Sequence, residues 1–159
     1  MLEVSPLSAQ EDDEMPDPNA ILDATSALAE RFSLDAVYLF GSRASEVVAF
    51  LREQRLLDSV AKSDVDVAIL PQLGHHMSVR DKVRLAAALE DLWDVARVDL
   101  VVLPEADPFL AVDIVAGECI FARDADALAE YELYILRRAG DLAPFERARR
   151  RHLLEQVRL

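Results

Sequence analysis

Asp64 and Asp66 stand one residue apart at the head of an apolar run, S-D-V-D-V-A-I-L, at 63–70. Side chains on a strand alternate between its faces, so both carboxylates project one way while Val65 and Val67 project the other way, into a core. Two like charges so placed repel each other and raise one pKa unless a cation lies between them. A hard divalent cation suits the task, because magnesium takes oxygen ligands from one or two carboxylates and completes its octahedron with water and substrate phosphates. Asp99 sits in R-V-D-L-V-V at 97–102, in the same place relative to its apolar run that Asp66 has in D-V-D-V-A-I. If the two strands are neighbours, the three acids share one sheet face. Such a trio can hold two metal ions that clamp the attacking and leaving oxygens of an in-line phosphoryl displacement.

Gly41 and Ser42 close the preceding apolar run, D-A-V-Y-L-F at 35–40. A glycine permits close backbone approach, and amides at the start of a following helix form a cradle for phosphate. Arg43 comes next, either to meet a phosphate or to stand exposed at the helix start. Ser63, directly before the acid pair, belongs to the same candidate nucleotide-binding set. Each piece alone is common: a solitary D-x-D or Gly-Ser is usually a solvated strand edge or a turn. Their order along the chain is what favours phosphoryl chemistry.

The elements that must position these residues follow from periodicity and punctuation. Asp17-Pro18 reads as a cap and first-turn proline opening a helix to about Phe32. Strands are expected at 35–40, 64–70 and 97–103, the last two closed by proline, with a brief fourth one at 119–122. A helix over 44–58 turns Val47 and Leu51 to the core, with Val48 and Phe50 beside them. Ser78 and Asp81 resemble a capping box for a helix to about Asp94, with Val79, Val83, Ala86, Leu89 and Trp93 as its apolar stripe. Asp107-Pro108 opens a short helix reaching Gly117. A helix from about Asp124 to Arg138 is expected to stop at Gly140, and Asp141 to cap a last, arginine-rich helix. Strands interleaved with helices imply an α/β domain with a small mixed sheet.

Composition narrows the class. The 159 residues suit one domain, 17–159, preceded by an acidic segment, 1–16, that lacks apolar periodicity and is expected to be disordered. The formal charge of −13 repels a phosphate backbone, so direct nucleic-acid binding by the chain is not expected. No apolar stretch is long enough to span a membrane, and the acidic start is unlike a signal peptide, which points to a cytoplasmic protein. Cys119, the single cysteine, reads as a core residue. His75 and His76 read as solvated loop residues, and Trp93, Tyr131 and Tyr134 as packing residues. Arg147, Arg149, Arg150 and Arg151 form either a partner surface or a solvated helix face.

F-G-S-R-A-S, S-D-V-D-V-A-I-L and V-D-L-V-V-L together resemble the signature of the DNA polymerase beta-like nucleotidyltransferases. More narrowly they resemble the minimal nucleotidyltransferase (MNT) antitoxins encoded with HEPN ribonuclease toxins. The resemblance spans about 20–140 and implies a small mixed sheet flanked by helices. It further implies that Asp64 and Asp66 ligate two Mg2+ ions, that Asp99 ligates one and helps activate the acceptor hydroxyl, and that Gly41 and Ser42 hold the triphosphate. The partner it implies is a HEPN toxin, on which AMP from ATP is placed at a tyrosine hydroxyl. Two alternatives stay open: a non-catalytic antitoxin that inhibits by binding, and a small antibiotic nucleotidyltransferase. Two features depart from the pattern. The family's usual second glycine is replaced by Ala44-Ser45-Glu46, and the connection from Gly41 to Asp64 is longer by about the length of a three-turn helix.

Overall fold

The computed structural model describes residues 19–53 and 64–157. The expected Asp17-Pro18 helix start, the segment 1–16, the helix beyond Glu53 and Ser63 lie outside the described residues. Four strands form one sheet: β1 (Leu34–Leu39), β2 (Asp64–Pro71), β3 (Arg97–Val102) and β4 (Glu118–Ala122), in the order β3-β2-β1-β4. β1 runs antiparallel to both β2 and β4, while β2 and β3 are parallel. A parallel pair needs a crossover, and helix α3 (Val79–Trp93) supplies it. The remaining helices are α1 (Ala20–Arg31), α2 (Ala44–Glu53), α4 (Pro108–Val115) and α5 (Ala125–Val157), with a 3-10 turn over Leu103–Glu105.

The sheet separates two apolar layers. Val37, Leu39, Val65, Val67 and Ile69 pack against Ala29 of α1, Val47 and Leu51 of α2, and Leu85, Leu89 and Trp93 of α3. Ala36, Tyr38, Ala68 and Leu70, pointing the other way, pack against Ala111 and Ile114 of α4 and Leu128 and Ile135 of α5. Burying both faces is what the nearly continuous apolar runs of β1 and β2 require. The buried Trp93 indole donates to the Thr25 hydroxyl at 2.9 Å, and Thr25 donates in turn to the Ile21 carbonyl, so no polar atom of that pair is left unpaired in the core.

Local cap signals hold at Ser78 and at Asp107. Ser78 and Asp81 form a full capping box on α3, and the Asp107 carboxylate accepts from the Phe109 amide ahead of Pro108. Four expectations need correcting. α5 does not stop at Gly140 but runs on through Asp141 and Pro144 for 33 residues. A helical glycine costs only about 1 kcal/mol relative to alanine, and the good helix formers on both sides outweigh it. Val79 and Val83 are exposed: Leu85, Leu89 and Trp93 hold the buried side of α3, Val83 falls nearly opposite Leu85, and Val79 is the first residue of the helix. Cys119 is exposed on the edge strand β4, its thiol directed to the Phe121 carbonyl, rather than buried in the core. Tyr134 is half exposed, while its neighbour Tyr131 packs against the second apolar layer. Among the described residues no helix is long and apolar enough to cross a membrane.

Candidate active site

Antiparallel pairing brings the end of β1 beside the start of β2, and parallel pairing brings the start of β3 beside both. The residues singled out by the sequence therefore gather at one end of the sheet. In the β2/β3 register Asp66 lies opposite Asp99, and Asp64 lies opposite Arg97. Alternation with Val65, Val67 and Val98, all buried in the first apolar layer, turns Asp64, Asp66 and Asp99 to the face of Ala68 and Leu70. The geometry joins Asp99 to the pair, as the matching positions in the two apolar runs suggested.

Gly41 presses on this group. Its φ is +80°, a conformation that L side chains rarely adopt, and a β-carbon built there would lie 2.5 Å from Oδ2 of Asp66. The Phe40 amide donates to the Asp66 carbonyl at 3.2 Å, which fixes the loop against β2. Ser42, Arg43, Asp64 and Asp66 line a small cleft of about 90 Å³ between the loop and the strand. Arg43 forms a two-pronged ion pair with Glu46 one turn along α2, at 2.9 and 3.0 Å. Its guanidinium is thus held at the rim of the cleft.

The electrostatics agree with the placement. The Asp66 carboxyl is held above its ordinary range, first by burial and then by the charges of Asp99 and Asp64. Sequence reasoning did not single out the residue that answers this charge. Arg97 approaches Asp99 at 2.6 Å and Asp64 at 3.9 Å, lying across both. The signal was available, since Arg97 occupies in R-V-D the place that Asp64 occupies in D-V-D. Tyr38 was also passed over. It is buried beneath the acid row and donates to Glu132 of α5, tying the sheet to the long helix.

Three oxygen donors on one face, repelling one another, have the chemistry that a hard divalent ion needs. As they stand, no set of three or more His, Cys, Asp or Glu side chains among the described residues is drawn together tightly enough to hold a metal ion. Arg97 bridges two of the acids instead.

A family model described as polymerase beta, nucleotidyltransferase, matches residues 23–126, which include Gly41, both acids of β2 and Asp99. The chain belongs to the polymerase beta nucleotidyltransferase family. Solved structures of similar fold include toxin–antitoxin complexes. One, a tri-AMPylated HEPN toxin from Shewanella oneidensis in complex with MNT antitoxin, aligns with a TM-score of 0.60 at 18% identity, over 90% of this chain and 100% of that one. A toxin–antitoxin with AMP-PNP aligns with a TM-score of 0.60 at 20% identity, over 87% and 98%. The MntA-HepT toxin–antitoxin aligns with a TM-score of 0.57 at 18% identity, over 87% and 97%. No curated protein sequence matches. At such identities the likeness shows a shared nucleotidyltransferase fold. It extends past the family model into α5.

Proposed function

We propose that this chain is a magnesium-dependent nucleotidyltransferase antitoxin, which transfers AMP from ATP to a tyrosine hydroxyl of a partner HEPN ribonuclease and so neutralises it. The observation that carries this reading is the row in which Asp66 faces Asp99 beneath the close approach of Gly41. Membership of the nucleotidyltransferase family supports the chemistry. The likeness in fold to an antitoxin seen with tri-AMPylated toxin, and to a complex holding AMP-PNP, supports the partner and the nucleotide.

In this reading Asp64, Asp66 and Asp99 hold magnesium, which when bound neutralises the polyphosphate and steadies the entering and leaving oxygens. The amides at the Gly41-Ser42 turn and the start of α2 donate to phosphate oxygens, with the Ser42 hydroxyl and the Arg43 guanidinium at the cleft rim, and Ser63, next to Asp64 in the sequence, belongs to the same nucleotide-binding set. Asp99 takes the proton of the acceptor hydroxyl. The hydroxyl oxygen forms a bond to the α-phosphorus, the bond from that phosphorus to its bridging oxygen breaks, and pyrophosphate leaves with the electron pair.

The test is to incubate the chain with the protein encoded beside it and Mg-ATP, and to follow adenylate on that protein by mass spectrometry. Labelled partner is expected, with Asp64→Asn abolishing the label while the complex still forms. A second reading, inhibition by contact alone, draws on the replacement of the family's second glycine by Ala44-Ser45-Glu46. Full inhibition of the partner without any label would establish it. A labelled aminoglycoside would establish an antibiotic-modifying enzyme instead.

A further inference from the structure

Arg97 opens β3 in register with Asp64 and two residues before Asp99, so alternation puts its side chain on the acid face. Its Nη2 lies 2.6 Å from Oδ1 of Asp99 and its Nη1 lies 3.9 Å from Oδ2 of Asp64. The two flanking members of the acid row thus share one cationic partner, while Asp66 between them feels both of their charges. A guanidinium keeps its charge at any pH the protein meets, so the arrangement cannot be relieved by deprotonation. The Asp99 oxygen that accepts a charged N–H at 2.6 Å cannot at the same time face a divalent ion without placing two cations against each other.

We infer that Arg97 is a built-in competitor for the metal ion: guanidinium and divalent cation take the same carboxylate oxygens of Asp64 and Asp99 in turn. This rests on the reading that these acids are the metal ligands. Metal alone must evict the arginine into water, against its attraction to two acids. Metal arriving with a nucleoside triphosphate brings negative charge to the same cleft, and the evicted guanidinium gains phosphate oxygens to pair with. The exchange couples the two ligands, so that each raises the affinity for the other. The site then loads with metal and nucleotide together and resists filling by free cations.

The test measures binding rather than turnover. Mn2+ is titrated calorimetrically, and by water-proton relaxation, into the metal-free full chain and into Arg97→Met, with and without AMP-PNP. Arg97→Met is expected to bind Mn2+ alone roughly three- to tenfold more tightly than the parent chain, the scale set by removing one exposed charge beside the ion. The enhancement of Mn2+ affinity by AMP-PNP is expected to shrink in that variant, and Arg97→Lys to stay near the parent. The Arg97 side chain is 63% exposed, so the variant should keep its fold, and a thermal melt checks this. Equal Mn2+ binding by parent and Arg97→Met overturns the inference alone. Weaker binding by Arg97→Met also overturns it, since the arginine would then be aligning Asp99 for the ion. A parent chain that binds no Mn2+ even with AMP-PNP removes the metal-site reading and this inference with it.

Discussion

Burial and two neighbouring carboxylates hold Asp66 above the ordinary carboxylate range in the folded chain, an effect that unfolding removes. Between the unfolded and folded pKa values the folded state binds more protons, so stability falls as pH rises through that window. Asp66→Asn deletes the penalised charge. It is expected to raise the melting temperature at neutral pH and to lose that advantage below the ordinary carboxylate range, where Asp66 is protonated in both states, while abolishing adenylate transfer. A pH series of thermal melts checks it, and a melting temperature that drops at neutral pH would contradict the electrostatic account. Gly41→Ala meets two obstacles at once, the +80° φ and the Asp66 carboxylate. Its expected cost is about 1–3 kcal/mol in urea unfolding together with a loss of transfer activity. Unchanged activity would mean that the close approach is not what the loop is for.

Two changes on α3 separate stability from chemistry. Ser78→Ala removes the capping hydroxyl that accepts from the Asp81 amide, at a cost of about 1 kcal/mol, with adenylation of the partner unchanged. Trp93→Ala opens the first apolar layer and leaves the buried Thr25 hydroxyl without its indole donor, so a loss of about 3–5 kcal/mol is expected in chemical denaturation. Both caps and strands were legible in the sequence because their signals are local: β-branched runs ended by glycine or proline, and a serine three residues before an aspartate. What was not legible depended on neighbours distant in the chain. The phase of α3 is decided by which side the sheet covers, and Cys119 is exposed because β4 happens to be an edge. Gly140 looks like a stop and Asp141 like a new cap in the sequence, yet helix formers on either side carry α5 past them. The acid trio was legible as a pattern, but the ion pair from Arg97 to Asp64 needed the parallel register to be known.

At the scale of the molecule, α5 divides into two parts. Up to Ala139 it is anchored, with Leu128 and Ile135 in the second apolar layer and Ala139 buried, whereas none of residues 140–156 is buried. A free helix of that length is marginal in water. Ending the chain after Gly140 is therefore expected to leave the melting temperature nearly unchanged, and amides of 141–156 in the isolated chain are expected to exchange within seconds. A large destabilisation on truncation would show that the projecting half packs on the domain in solution.

The same topology sets an order of assembly. Gly41, Asp64, Asp66 and Asp99 have all been synthesised by the time β3 emerges, yet β1 gains its second partner only when β4, far along the chain, pairs Val37 with Phe121. Until then the strand that leads into Gly41 is a bare sheet edge, and the acid-bearing face, though α4 has emerged, still lacks α5. Closure across so long a loop is slow, and an uncovered, largely apolar edge invites pairing with another nascent chain. A ribosome-bound product halted before residue 118 would thus carry Gly41 and all three acids on an unfinished sheet, sticky until the last strand seals it.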